Sequence, residues 1–506
     1  MPSIAPFEIS FDQGTLLLPG HDRDMVEQVF GKDLWKWDPR IQSWRCEAIH
    51  YRLVITKLWQ QKLPYQDLAK QWQAIQWPKN EIHSPRPEQQ SAIQAWLLGH
   101  STSPNEKTAQ THSDLLSELQ TDSRPLTESP AIPLTTLTKR GVVVMPTGTG
   151  KTEVALHLLH QTACSTLIVA PVRDLMYQWH RRVLQALGID AGIIGDNTFN
   201  VRPISVTTYD SAAIHAAKLG NQFKLLIFDE CHHLPGNFRR DAAMLSIAPW
   251  RLGLTATPTR SDGKHSDLET LIGRQVYNLP IKSVKGKTLA DFDIIRIPVH
   301  LSEKEQVRYD QCSTKVRDYM YERRKTDAGF QWPDLCCESA TDPQARQTLV
   351  AYRHKQAIED RAAEKLRVLE DLFRLHAGTP IIVFAGSNAM ARDVSIRFLL
   401  PCLLSHCGKK ERLDILEGLA DGSYPAIVAN QVLDEGVDVP AVKIAIVIGG
   451  SSSTRQAKQR LGRILRRSGN KRAILYEVVC QDTNEAQRSR ARRKSDAYAG
   501  TRHRRL

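Results

Sequence analysis

From Gly141 onward the chain repeats one pattern, a short β-branched apolar run followed by a helical stretch. GVVVM precedes TEVALHLLHQ, TLIVA precedes RDLMYQWHRRVLQAL, ISVTT precedes SAAIHAAKL, and LLIFD and RLGLTA continue the series. Runs that are apolar at every position belong to strands covered on both faces, and strands alternating with amphipathic helices build a parallel, doubly wound sheet. The pattern lapses near Leu279, gives way to charge-rich helical spacing over about 302 to 375, and resumes in PIIVFA, PAIVAN, IAIVI and AILYEVV. The fold class expected is α/β: two parallel-sheet lobes separated by a helical insertion.

A chain of 506 residues has room for about three or four domains at roughly 100 to 200 residues each. Residues 1–80 hold six tryptophans (Trp35, Trp37, Trp44, Trp59, Trp72 and Trp77) among short apolar runs, which suits a small α+β accessory domain whose tryptophans fill its core. Stacking on nucleic-acid bases is the alternative use of such a cluster. The first lobe is expected over 81–279, with a flexible insertion at 99–139 where Ser, Thr, Pro, Asn and Glu replace aromatics; SDLLSELQ within it has the pattern of a short helix. A connector and helical insertion follow over 280–375, the second lobe over 376–480, and a basic tail over 481–506.

The chemistry is concentrated in two places. Met145-Pro-Thr-Gly-Thr-Gly-Lys-Thr152 follows a strand and opens a helix, the setting a phosphate-binding loop requires. The backbone of Thr147, Gly148, Thr149 and Gly150 would approach the phosphates of ATP, Lys151 would supply a point charge, and the Thr152 hydroxyl would ligate Mg²⁺. Met145 stands where the pattern G-x-x-x-x-G-K-[ST] begins with glycine. The strand LLIFD ends in Asp229-Glu230-Cys231-His232, 78 residues after Lys151. Asp229 suits a Mg²⁺ ligand and Glu230 a base that orients and deprotonates the attacking water. Acids at strand ends are common, so it is the pair, downstream of such a loop, that carries the reading. Adjacent Cys231, His232 and His233 cannot easily converge on one metal ion, and Cys402, His406 and Cys407 lack a second half-site.

The order APVRDLMYQW (170 to 179), VTTYDSA (206 to 212), DECH (229 to 232), TATP (255 to 258), VANQVLDEGVDVP (428 to 440) and QRLGRILR (459 to 466) resembles the motifs of superfamily 2 helicases and translocases. DECHHLPG, SIAPWRLGLTATPTRSDG and QRLGRILR narrow the resemblance to the XPB-type DNA repair helicases, in the compact prokaryotic form. It covers roughly residues 80 to 480 apart from the insertion. It implies two RecA-like lobes, a thumb-like DNA-gripping insertion and, less directly, a damage-recognition-like N-terminal domain. By position it implies that Gln89 contacts adenine, that Thr255 and Thr257 couple hydrolysis to lobe movement, and that Gly436 and Asp438 reach the nucleotide from the second lobe. Arg463 and Arg466 resemble arginine fingers with Gln459 beside them, in keeping with a planar guanidinium neutralising charge on the γ-phosphoryl oxygens. Arg260-Ser261-Asp262 departs from the family's Arg-Glu-Asp tripeptide, which leaves ATP hydrolysis in place and efficient unwinding open.

The resemblance implies an ATP-dependent DNA helicase or translocase of 3′ to 5′ polarity, with duplex or single-stranded DNA as partner, a role in repair and an associated nuclease as a possible further partner. The alternatives are the motor subunit of a restriction or phage-defence complex, and a catalytically silent DNA-binding scaffold. A silent scaffold has no chemical need for all of Lys151, Thr152, Asp229, Glu230, Arg463 and Arg466. Charge agrees with a polyanion partner: the net charge is +13, and residues 451–506 hold 16 basic and 4 acidic side chains. Lys304, Arg308, Lys315, Arg317, Arg323, Arg324 and Lys325 in the insertion are plausible phosphate contacts or an ordinary solvated face. Nine scattered cysteines without a C-x-x-C pair, no long apolar run and no signal-like N-terminus suggest a cytoplasmic protein, nucleoid-associated if prokaryotic.

Overall fold

The computed structural model describes residues 6–78, 82–99, 139–257, 263–280, 283, 292–404, 406–430, 442–449, 473–493 and 503–505. Outside them lie nearly all of the 99–139 insertion with its SDLLSELQ segment, the tripeptide Arg260-Ser261-Asp262, and the site candidates Gly436, Asp438, Gln459, Arg463 and Arg466. The chain divides into two units, residues 1–279 and 280–506.

The first unit opens with β1 (Phe7–Asp12), β2 (Thr15–Pro19), α1 (Arg23–Phe30), β3 (Lys36–Asp38), β4 (Ser43–Glu47), α2 (Tyr51–Gln60) and β5 (Tyr65–Asp67). The strands form a sheet in the order β3-β4-β2-β1-β5. Asp22 caps α1 by accepting from Met25 N at 2.8 Å. Trp35 and Trp44 are buried in this domain's core with Phe7, Phe30 and Leu58, while Trp37 is 48% exposed. Core filling therefore accounts for two of the six tryptophans outright and not for Trp37. The strap after β5 ties this domain to the first lobe: Asn221 Nδ2 donates to Ala69 O at 3.0 Å, and Trp77 Nε1 to His160 O at 2.9 Å.

After α3 (Pro87–Leu98) comes the first parallel sheet. Its elements are β6 (Arg140–Val144), α4 (Lys151–Thr162), β7 (Thr166–Ala170), α5 (Arg173–Leu187), β8 (Gly192–Gly195), β9 (Thr198–Phe199), β10 (Ile204–Thr208), α6 (Tyr209–Leu219), β11 (Leu225–Asp229), α7 (Asp241–Met244), β12 (Trp250–Thr255), α8 (Asp267–Leu271) and β13 (Gln275–Asn278). The order is β13-β6-β12-β11-β7-β10-β8-β9, parallel except for the terminal β8–β9 hairpin. Every residue of β7, β11 and β12 is buried, as two covered faces demand. Parallel pairing brings the C-terminal ends of β6, β11 and β12 to one edge, with Thr255 opposite Val144 and Leu254 opposite Asp229.

The second unit contains β14 (Phe292–Val299), α9 (Glu303–Thr326), α10 (Trp332–Glu338), α11 (Pro343–Asp360), α12 (Ala363–Leu375), β15 (Ile381–Ala385), α13 (Asn388–Phe398), β16 (Cys402–Leu403), α14 (Lys409–Asp421), β17 (Ala426–Ala429), β18 (Ile444–Ile448), β19 (Ala473–Cys480), α15 (Asn484–Arg493) and β20 (His503–Arg505). Its sheet runs β16-β17-β15-β18-β19-β14-β20 and is parallel throughout. Three stretches differ from the sequence reading. β14, read as connector, pairs with β19 along its full length, and Leu369 and Leu372 of α12, read as insertion, sit in the core of this second sheet. Helices α9 to α11 keep a small core of their own around Phe330, Leu335 and Ala345. Helix α15, read as the start of a basic tail, is anchored: Glu485 and Ser489 are fully buried, and Glu485 accepts from Lys365 Nζ at 2.8 and 3.0 Å. No helix among the described residues is long and apolar enough to cross a membrane.

Candidate active site

The phosphate-binding loop leaves β6 at Val144 and enters α4 at Lys151. Met145, in the place of the pattern's first glycine, is fully buried, and its N–H donates to Thr255 O at 3.0 Å. It continues the ladder of β6, so no glycine is needed there. The turn itself uses glycine where the backbone requires it. Gly148 and Gly150 have φ of 86° and 88°, and a Cβ on Gly150 would lie 2.2 Å from Gln89 Nε2 and 2.8 Å from Arg86 Nη2. Those two side chains converge on one acceptor: Arg86 Nη2 donates to Thr149 O at 2.8 Å and Gln89 Nε2 at 3.0 Å. Thr149 closes the turn by donating from Oγ1 to Pro146 O at 2.7 Å. Thr147 Oγ1 is buried with no hydrogen-bond partner among the described residues.

Lys151 projects from the first turn of α4 into the loop. Its Nζ lies 3.4 Å from Met145 O and 3.4 Å from Glu230 Oε1. Thr152, beside it, is half-buried. At the end of β11, Asp229 accepts from Trp179 Nε1 at 2.9 Å and from Glu230 N at 3.0 Å, while its carbonyl accepts from Tyr209 Oη at 2.9 Å. Burial, and then the Glu230 charge, push the Asp229 carboxyl up to about 6. Glu230 adopts a left-handed backbone, φ 47° and ψ 55°, unusual for a residue with a Cβ and of the kind held in place at functional sites. Its Oε2 lies 3.4 Å from Thr255 Oγ1 and 3.5 Å from His232 Nδ1. His232 Nδ1 is 3.1 Å from Thr255 Oγ1, which accepts from Thr257 N at 3.1 Å.

The structure thus brings Gln89, Thr147 to Thr152, Asp229, Glu230, Thr255 and Thr257 to one edge of the first sheet. Three further residues belong to this cluster: Arg86 and Trp179, which the sequence reading passed over, and His232, which it weighed only as a metal ligand. Trp179 and His232 lie inside the quoted motifs APVRDLMYQW and DECH, and Arg86 lies three residues before Gln89 in PRPEQQ, so spacing relative to those residues was the available signal. The arrangement defines a class: a P-loop on a parallel α/β sheet, with the Glu230 carboxylate facing the loop's lysine and Asp229 beside it, in a chain carrying a second parallel sheet.

Residues 9–69 match the family model for the Xeroderma pigmentosum group B helicase damage recognition domain. Residues 82–260 match that for the type III restriction enzyme res subunit, and residues 332–499 that for the ERCC3/RAD25/XPB C-terminal helicase. The chain is 42% identical over 357 residues to "DNA 3'-5' translocase XPB2" of Sulfurisphaera tokodaii, covering 70% of this chain and 81% of that one. It is 29% identical to "DNA 3'-5' helicase XPB" of Kineococcus radiotolerans over 68% of this chain and 58% of that one. The solved helicase domain of Pyrococcus furiosus Hef is similar at a TM-score of 0.48 and 15% identity, over 70% of this chain and 95% of that one. This chain belongs to the XPB family of superfamily 2 helicases.

Proposed function

We propose that the chain is an ATP-driven DNA helicase or translocase acting 3′ to 5′ and serving DNA repair. The observation that carries this reading is the Lys151–Glu230 pair, facing each other across the loop at 3.4 Å. The relatives bear the names DNA 3'-5' translocase and DNA 3'-5' helicase. The res-subunit match over 82–260 fits a restriction motor equally well, but the XPB-specific matches on either side of it favour the repair reading.

In the chemistry proposed, the N-terminus of α4 and the loop's N–H groups receive the phosphates of ATP. Lys151 transfers its charge from Glu230 to those phosphates, and Glu230, released, accepts a proton from the attacking water. Arg86 and Gln89 hold the loop through Thr149 O and flank the nucleotide. Thr152 and Asp229 would hold Mg²⁺: a hydroxyl and a carboxylate are the hard oxygen donors that ion takes. When bound, the ion neutralises charge on the phosphate oxygens. Arg463 and Arg466, with Gln459, Gly436 and Asp438, are assigned to nucleotide contact in this proposal on the strength of their motif positions alone. Thr255, touching both Glu230 and the Thr257 backbone, would pass the change at the γ-phosphate into the segment after β12.

The test is ATP hydrolysis by the full chain without nucleic acid, with single-stranded DNA, with duplex DNA and with RNA, with Lys151→Ala as the blank. Stimulation by DNA that vanishes in the variant supports the proposal. Hydrolysis no greater than the variant's under every condition overturns it.

A further inference from the structure

We propose that the groove between the N-terminal domain and the start of the first parallel sheet is a second nucleic-acid site, holding backbone phosphates through Arg52 and Arg240 with Arg140 behind them. The inference rests on the DNA-motor reading above and adds a contact surface on the far side of the sheet from the nucleotide site.

The groove has a volume of about 520 Å³ and is walled by Glu47, His50 and Arg52 of the N-terminal domain and by Arg140, Arg240 and Met244 of the first lobe. Arg140 is the first residue of β6, and its guanidinium caps the end of α8, donating from Nε to Ile272 O at 2.8 Å and from Nη2 to Thr270 O at 3.1 Å. Behind it, fully buried Arg251 at the start of β12 donates to the carbonyls of Leu271, Ser246 and Ala248 at 2.6, 2.8 and 3.1 Å. Among the described residues neither guanidinium has a carboxylate in a salt bridge, so their charge is met by carbonyl dipoles alone. Burial and the nearby Arg52 charge lower Arg140 to about 10, and burial followed by the Arg140 charge lowers Arg251 as well. A row of guanidiniums that repel one another, opening at Arg52 and Arg240, attracts an anion. Glu47, the one carboxylate in the wall, sits 3.7 Å from His50 Nε2.

Two observations favour a polymeric anion over a single free phosphate. The same edge carries Lys139 and Lys224, whose ammonium groups lie 4.5 and 4.0 Å from the centre of the Trp250 ring, so positive charge runs along the strand starts beyond the groove. The groove is also open and offers Leu53 and Met244 as apolar floor, a surface for sugar faces between phosphates, where a free anion would need a closed cradle of N–H groups. The site is separate from ATP binding: β6 and β12 run from Arg140 and Trp250 at this edge to Val144 and Thr255 at the other, roughly 13 to 17 Å at 3.3 Å per residue.

The experiment measures the affinity of the full chain for a 20-base-pair duplex across a salt series, for wild type, Arg52→Gln, Arg240→Gln, the double variant and the exposed control Lys32→Gln. Melting curves check that each variant folds, and ATP hydrolysis without DNA checks that the nucleotide site is intact. Removing one phosphate-binding cation lowers the slope of log affinity against log salt by about 0.9, so the double variant is expected to lose about 2 and the control nothing. Duplex affinity and slope unchanged in the double variant, with wild-type hydrolysis still stimulated by DNA, overturn the inference and leave the motor reading standing. A wild type that neither binds duplex nor responds to it overturns both. Thermal stabilisation by inorganic phosphate or by polyglutamate that depends on Arg52 and Arg240, with duplex binding unaffected, also overturns the inference and assigns the groove to a free anion or an acidic peptide.

Discussion

Glu230 Oε1 lies 3.4 Å from Lys151 Nζ, so the residue expected to hold phosphate and the residue expected to activate water neutralise one another in this structure. Both are largely buried, at 10% and 13% exposure, and removing either leaves its partner poorly compensated. Their variants should therefore separate binding from chemistry. Lys151→Ala is expected to weaken ATP binding and abolish hydrolysis. Glu230→Gln is expected to lower kcat by about 10² to 10⁴, the range for loss of a general base, with ATP binding retained or tightened because Lys151 is freed. Equal loss of ATP affinity in both variants would contradict this division of roles.

Gly150 carries two constraints at once, a φ of 88° and the close approach of Gln89 and Arg86. Gly150→Ala is expected to displace both side chains from Thr149 O and raise the KM for ATP at least tenfold, while the strained turn costs about 1 to 2 kcal/mol locally. Arg86→Ala and Gln89→Ala should each raise KM with a smaller effect on kcat. Steady-state kinetics of the three variants decides the point. An unchanged KM in all of them would show that neither side chain flanks the nucleotide.

In the second unit Lys365 and Glu485 form an ion pair with both side chains at 0% exposure and an N–O distance of 2.8 Å. Glu485 also accepts from Cys480 N at 3.0 Å, so it fastens α15 to β19 while the ion pair ties α15 to α12. Lys365→Met leaves a buried carboxylate without its charge partner and is expected to cost about 3 to 5 kcal/mol. Lys365→Met combined with Glu485→Gln should regain more than half of that. Denaturant melts of the single and double variants measure the coupling, and a single-variant cost under about 1 kcal/mol would contradict the burial of the pair.

Asp360, at the end of α11, has its carboxyl pushed up to about 6, chiefly by burial and then by the Glu485 charge, against the pull of Lys365. An acid whose folded-state value is raised binds more protons folded than unfolded. Its contribution to stability is thus complete below about 4 and is lost as pH rises through 6. Asp360→Asn removes the cost of the buried charge, so the variant should melt higher than wild type at pH 8, by up to about 3 kcal/mol for a shift near two units. The gap should close by about pH 4. A variant less stable than wild type at pH 8 would show that attraction to Lys365 and Arg488 outweighs burial.

The central strands of both sheets were legible because β-branched runs buried on both faces leave a mark in the sequence itself: TLIVA and LLIFD are strands and are buried throughout, whereas short strands at or next to the sheet edges such as β8, β9, β13 and β16 carry no such run. β14 was not, because its partner β19 lies some 180 residues further along the chain and nothing local to FDIIRIPV names it. The loop and the Asp229-Glu230 pair were legible as motifs, since their chemistry dictates residue types at fixed spacing. Trp179 and Arg86 were not, because each acts through a group distant in sequence: Trp179 through Asp229 and Arg86 through the Thr149 carbonyl. Charge counting misjudged α15 for a related reason. Arg488, basic by composition, pairs with buried Glu359 of α11, so that charge holds the fold together.

The most direct test of the account is the rate of ATP hydrolysis by the full chain with and without duplex DNA, measured beside Lys151→Ala. The account predicts hydrolysis that duplex DNA stimulates severalfold or more and that the variant abolishes. Hydrolysis that is absent, or that is indifferent to every nucleic acid tested, would contradict it.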